Sequence, residues 1–236
     1  LQFMRYAIAL KDLGFSVSLC ARKKLHSLIV SSGIDLAPLS PTEANAITEG
    51  AWSPLLSVPM HLNVGPNNPI ITKPYIKPPS ELTSKWRTLL CRNNRPVIGI
   101  NWRGNRADSK KSDRDFPVTS IIRVARELGL TIVSLQRKAP GPEARAPWQS
   151  RDLAELQSHI HRLADSDSDS DFAEYASVIA SCDLVITSAT TTCHLAASMG
   201  IQTWTLLQKV PGWQWGLDGD KSFWYPTMRL FRQREM

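Results

Sequence analysis

The chain lacks the features that would assign it quickly. It has no apolar run near the ~20 residues that cross a bilayer, and no basic-then-apolar segment opens it as a signal would. This argues against a transmembrane segment. Cysteine is scarce: Cys20, Cys91, Cys182 and Cys193 form no CxxC pair and no zinc-finger spacing. Thiols kept reduced in a cytoplasm are the simplest account. The P-loop, GxGxxG, GxSxG and HExxH patterns are all absent.

Charge is present without being concentrated. The formal net charge is +7, which implies an anionic partner without choosing among nucleic acid, acidic lipid and a nucleotide diphosphate. Lys and Arg are scattered, and aromatics do not alternate with them, which argues against nucleic acid. No metal site emerges either. His159 and His161 have no Cys, Asp or Glu at ligand spacing and read as a surface loop. The run Asp165–Asp171 has no Gly at the sixth position and no Glu at the twelfth, so it fails as a calcium loop. It also lacks the leading apolar strand of an Asp-x-Asp metal site. A solvated loop ending in an N-cap at Asp171 remains.

What is present is an α/β alternation. LQFMRYAIALKDLG has helical spacing with Gly14 as a stop, FSVSLCA reads as a strand, and KLHSLIVSSG reads as a helix ending near Gly33. A parallel unit normally starts with a strand, so this order implies one before Leu1 and a chain that begins inside a domain. From Pro38 to Pro79 prolines recur, and Gly65–Pro69 is a turn cluster. Residues 81–92 look helical. From Val97 onward the order is clean: VIGINW strand, polar loop, a helix with Ile121, Ile122, Ala125 and Leu128 on one face, TIVSLQ strand. DFAEYASVIASC helix, DLVIT strand, TTCHLAASM helix and TWTLL strand follow. That predicts a parallel sheet covered by helices, a Rossmann-like domain over about 95–236.

Ligands of such sheets sit beyond the carboxyl ends of the strands. There the sequence places Arg103 to Asn105, Gln136 to Lys138, Ser188 to Thr192, and Gln208 with Lys209. Cations, amides and hydroxyls dominate this rim, which suits a diphosphate. The densest part is DLVITSATTTCHLAASMG, where Ser188, Thr190, Thr191 and Thr192 crowd a helix start and His194 follows. Such a start carries unpaired N–H groups and the positive end of the helix dipole. Ordinary Ser/Thr capping accounts for the same hydroxyls, and a satisfied buried histidine accounts for His194. In the tail, Trp213, Trp215, Phe223, Trp224, Tyr225 and Phe231 are interrupted by glycines and Pro226. They read as loop aromatics that either pack or stack on a base or sugar ring.

Taken in order, IGINWRGN, SLQ, DLVITSATTTCHLAASMG, WQWG and FWYPTMRLFRQ resemble the family 9, heptosyltransferase-like glycosyltransferases. They are similar in particular to the catalytic region of members linked to tetratricopeptide repeats. The resemblance is strong over 95–236 and weaker over 1–94. It implies a GT-B-like α/β fold of two Rossmann-like domains, 1–94 on the acceptor side and truncated at its N-terminus, and 95–236 on the donor side. It implies transfer of a sugar from a nucleotide-diphospho-sugar to a saccharide or protein acceptor, with no metal and no other cofactor. Repeats in a longer chain are a further implied partner.

By position, Thr190, Thr191 and His194 match the family's Asp-Thr-x-x-x-His-Leu-Ala motif at the diphosphate. Asn101, Arg103 and Asn105 match its Trp-x-Gly-Asn region, and Gln136 its Ser-Leu-Gln strand end. With Ser188 and Lys209 these are the expected donor-binding residues. The family's general base is expected before Leu1, which leaves His194 as the catalytic candidate within the chain. Ala189 stands where the motif has Asp. That departure keeps a second expectation open, a catalytically inactive nucleotide- or protein-binding module of the same fold.

Overall fold

The computed structural model describes residues 1–65, 67–70, 73–91, 94–104, 115–136 and 172–234. Asn105, Arg137, Lys138, His159, His161 and the Asp165–Asp171 run lie outside the described residues.

A 3-10 turn, Gln2–Met4, leads into α1 (Arg5–Asp12). Of the apolar face that the spacing predicts, Tyr6 and Ala7 are buried and Phe3 and Leu10 half-buried; Met4 and Ala9 are buried as well. The helix ends as the chain turns through Gly14 at φ +89°, a backbone that L side chains rarely adopt. α2 (His26–Ser31), α3 (Pro41–Asn45), α4 (Val58–His61) and α5 (Ser80–Leu90) follow. The strand expected at 15–21 does not form. One parallel bridge joins Cys20 to Leu39, through Ala21 N to Leu39 O at 2.8 Å and Leu39 N to Leu19 O at 2.9 Å. Phe15 stays exposed. A strand needs a ladder of partners, and this segment finds one bridge.

The second half gives the predicted sheet. β1 (Val97–Asn101), β2 (Thr131–Ser134), β3 (Leu184–Ser188), β4 (Gln202–Leu207) and β5 (Met228–Arg232) are all parallel, in the order β2-β1-β3-β4-β5. Ile98 lies opposite Ile132 on one side and Leu184 on the other. Among the described residues, the helices that connect or precede the strands are α6 (Thr119–Glu127), α7 (Phe172–Ala180) and α8 (Thr191–Ser198). β5 is the strand that the sequence reading missed. It pairs with β4 on one side and makes only a single antiparallel bridge, Arg229 to Lys221, on the other, and Arg229 is exposed, so its pattern lacks the continuous apolar run of a central strand.

Period-two alternation sorts the side chains onto two faces. Ile98, Ile100, Ile132 and Ile186 pack with Ile122 and Ala125 of α6. Val97, Val133 and Val185 join the larger cluster on the other face, with α7, α8 and the amino-terminal helices. Gly99 permits close cover there: a Cβ on it would stand 2.6 Å from Leu135 Cδ1 and 3.0 Å from Cys182 Sγ. Tyr6, Leu28, Ile29, Trp86 and Leu90 from the first 94 residues belong to that same cluster. Among the described residues, no helix is long and apolar enough to cross a membrane.

Candidate functional site

In a sheet ordered β2-β1-β3-β4-β5 the connections reverse direction between β1 and β3, where sheets of this kind carry their ligand crevice beyond the strand ends. Asn101 ends β1, and Ser188, Thr190 and Thr191 follow along β3 and into α8. The two sides touch: Thr190 Oγ1 lies 3.4 Å from Asn101 Oδ1 and 3.3 Å from Thr187 Oγ1. Asn101 Nδ2 donates to Leu135 O at 3.2 Å, so its amide is oriented.

The hydroxyls at this helix start do not cap it through Thr190. Thr190 is the N-cap residue of α8, yet its hydroxyl makes no capping bond; it turns across the crevice to Asn101. Thr191 is exposed. Ser188 is fully buried, and its Oγ has no hydrogen-bond partner. The start of α8 therefore has no threonine side-chain cap; Cys193 N bonds Thr190 O at 3.2 Å, and Thr191 N and Thr192 N lie at the positive end of the helix dipole.

Gln136 is bonded through its amide to the backbone leaving β1. Its Oε1 accepts from Trp102 N at 3.1 Å and Arg103 N at 2.8 Å, and its Nε2 donates to Arg103 O at 3.3 Å. The side chain splices the end of β2 to the backbone leaving β1. Arg103 Nε lies 3.5 Å from Asp115 Oδ2, and Asp115 Oδ1 accepts from Gly104 N at 3.2 Å. Asp115 is a rim carboxylate that the sequence reading did not single out; it came from the far end of a polar loop. Lys209 is exposed just past β4.

His194 sits on α8 and joins the tail aromatics. Its ring stacks on Trp215 at 5.1 Å and 16°, and Nδ1 lies 3.1 Å from Tyr225 Oη. Burial, helped by the nearby positive charge of Arg5, lowers its pKa to about 3 from the ordinary 6.5. His194 is therefore neutral at pH 7. An unfolded chain protonates this histidine near pH 6.5, whereas the folded chain does so near 3. Its stabilising contribution is complete above about pH 6.5 and is lost as the pH falls toward 3. The unfolding free energy of the wild type should drop more between pH 7.5 and 5 than that of His194→Gln. Equal drops in urea titrations of the two proteins would refute a depressed His194.

The loop aromatics divide between packing and exposure. Trp215, Trp224 and Tyr225 are buried, while Trp213 is 72% exposed, stacked on Phe3 at 6.5 Å. Arg232 holds the loop, donating to the carbonyls of Trp215, Gly216, Asp218 and Gly219 at 2.7 to 3.0 Å. Cys193 is buried, with its thiol pushed up to about 12 by desolvation, and burial raises Cys182 further. Neither is a nucleophile at neutral pH. Among the described residues no group of three His, Cys, Asp or Glu side chains could hold a metal ion.

No protein-family model matches the chain, and no curated protein matches it. Among solved structures it is similar to a family 9 glycosyl transferase from Veillonella parvula, at 12% identity and a TM-score of 0.45, over 97% of this chain and 66% of that one. It is also similar to the E. coli heptosyltransferase WaaC with ADP-2-deoxy-2-fluoro heptose, at 12% identity and a TM-score of 0.37, over 88% of this chain and 64% of that one. The chain thus spans less than two thirds of the length of either.

Proposed function

We propose that the protein is a GT-B-like glycosyltransferase that moves a sugar from a nucleotide-diphospho-sugar to a saccharide or protein acceptor without a metal. The observation that carries this reading is the β1/β3 crevice, where Thr190 leaves the helix uncapped and reaches across to Asn101. The α8 N–H groups, Thr191 and the orphaned Ser188 hydroxyl would hold the diphosphate, with Arg103 and Lys209 supplying positive charge at its edge. Stabilising a leaving diphosphate with such preorganised donors is electrostatic catalysis. Asn105 is assigned to the donor by sequence position alone. His194, neutral beside these donors, would contact the donor. The residues 1–94 would form the acceptor side and 95–236 the donor side, in a cytoplasmic protein that would act alone or with repeats in a longer chain.

Calorimetry with a panel of nucleotide-diphospho-sugars tests the reading. One donor should bind with micromolar-class affinity, about −8 kcal/mol. Thr191→Ala should weaken it by about tenfold, the loss of ~1.4 kcal/mol. No binding by any donor to the folded protein would overturn the proposal. Ala189 favours a second reading. It stands where the family motif carries a carboxylate, and it packs partly buried against the apolar core. Nucleotide binding without sugar turnover would select that inactive module.

A further inference from the structure

The turn that leaves β1 is clamped from two directions. From the end of β2, Gln136 Oε1 accepts from Trp102 N at 3.1 Å and Arg103 N at 2.8 Å, and Nε2 donates to Arg103 O at 3.3 Å. These contacts fix which end of the amide is which. Backbone N–H groups can only donate, so the atom that faces two of them is the oxygen. Both of its lone pairs are then taken. Gln136 is 5% exposed, and its own backbone N donates to Ser134 Oγ at 3.3 Å. Leu135 before it is tied as well. Its N donates to Ile100 O at 2.8 Å, and its carbonyl accepts from Asn101 Nδ2 at 3.2 Å and Tyr175 Oη at 2.8 Å. Gln136 thus reaches the turn from an anchored base.

From the other direction, Asp115 Oδ1 accepts from Gly104 N at 3.2 Å, and Oδ2 lies 3.5 Å from Arg103 Nε. Phe116 N donates to Trp102 O at 3.2 Å. The N–H groups of Trp102, Arg103 and Gly104 are therefore all engaged within the protein. What this turn can offer an anion is the Arg103 side chain, which is 17% exposed. A guanidinium meets a phosphate bidentately, through one edge. With Asp115 at Nε, that edge is Nη1–Nη2.

We propose that Gln136 and Asp115 are positioning residues for Arg103: Gln136 sets its backbone, Asp115 sets its guanidinium, and the Nη1–Nη2 edge meets the diphosphate of a nucleotide donor. Gln136 itself does not touch the ligand. The presentation to a diphosphate rests on the donor reading above; the clamp does not.

Amide hydrogen exchange of the ligand-free intact chain, followed by NMR, tests the clamp. Gln136→Leu removes the acceptor and should speed exchange at Trp102 and Arg103 by about tenfold or more, while Val97–Asn101 keep their protection. Gln136→Glu keeps an oxygen for both N–H groups and should keep them protected. Unchanged exchange in Gln136→Leu, or equal loss in both variants, overturns the clamp. Thermal unfolding shows that each variant is folded. If Gln136→Leu is not, Asp115→Ala carries the test from the less buried side, with faster exchange expected at Gly104 and unchanged exchange overturning the clamp there.

Calorimetry with UDP, UDP-glucose, ADP and ADP-glucose tests the presentation, as a double-mutant cycle with Arg103→Ala. Arg103→Ala should weaken binding by about 10- to 100-fold, the loss of a charge-assisted hydrogen bond. Gln136→Leu should weaken it by about tenfold in the wild-type background and not at all beside Arg103→Ala. Asp115→Ala should alter affinity only while Arg103 is present. A merely structural role would weaken both backgrounds alike. Losses that multiply in the double variants, or single variants that bind as the wild type does, overturn positioning through Arg103 and leave the donor reading standing. Absence of binding by all four ligands to the wild type overturns the presentation together with these donors, while exchange still decides the clamp.

Discussion

Arg5→Ala is expected to destabilise the fold by about 2–5 kcal/mol through the cavity and the lost hydrogen bonds, a large part of the ~5–15 kcal/mol that holds a typical domain together. The guanidinium is only 1% exposed. It donates to Trp224 O at 2.7 Å, Gln2 O at 3.0 Å and Tyr75 Oη at 3.4 Å. It also lies over the Tyr225 ring at 4.7 Å and the Tyr75 ring at 4.8 Å. One side chain thus ties α1 to the segment before α5 and to the aromatic tail. Alanine would leave a cavity and unpaired carbonyls, and a buried acceptor without a partner costs about 1–3 kcal/mol. Arg5→Met refills the volume without restoring donors, so it should recover part of the loss. Urea unfolding measures both. If Arg5→Ala were within 0.5 kcal/mol of the wild type (roughly the range of an ordinary surface substitution), Arg5 could not be the tie described.

The second large effect is expected at Trp86. It is 1% exposed, the largest of the fully buried side chains. It stands on α5 with Leu90 in the cluster that also holds Ala173, Ala176 and Ile179 of α7. Trp86→Ala should cost about 3–5 kcal/mol through lost burial and the cavity left behind, and Trp86→Phe less. Because α5 and α7 share one apolar cluster, near-ultraviolet and far-ultraviolet circular dichroism should follow a single coincident transition. A loss below about 1 kcal/mol, the centre of the range for point mutations generally, would contradict this packing. A lost early transition with the later one untouched would contradict the shared core.

How far the sequence carried the reading depends on what each element needs. β1 and β3 were legible because strands covered on both faces must be apolar almost throughout, as in Val97–Asn101 and Leu184–Ser188. β5 was not, since a strand with a full ladder on one side and a single bridge on the other tolerates Arg229 in solvent. The segment at 15–21 had strand-like residues and no ladder to join. The strand-end rule put Arg103 and Thr190 on one rim in advance, and the family resemblance added Asn101. It could not show that Gln136 is occupied by the backbone at 102–103, because that depends on where its amide lands.

Arg5 makes the same point most sharply. In the sequence it is one cation on a helix whose apolar neighbours are plain, and nothing local marks it as buried. Tyr75 and Tyr225 lie 150 residues apart by their numbers, with no pattern linking either to His194. The sequence by itself determined the alternation of helices and parallel strands and the hydroxyl-rich turn after β3, because periodicity and helix-start chemistry are local. Only the tertiary structure decided that Thr190 turns away from capping, that Gln136 is a splice, and that an arginine cage stands behind His194. Those are hydrogen bonds between distant residues, and their partners are chosen by packing.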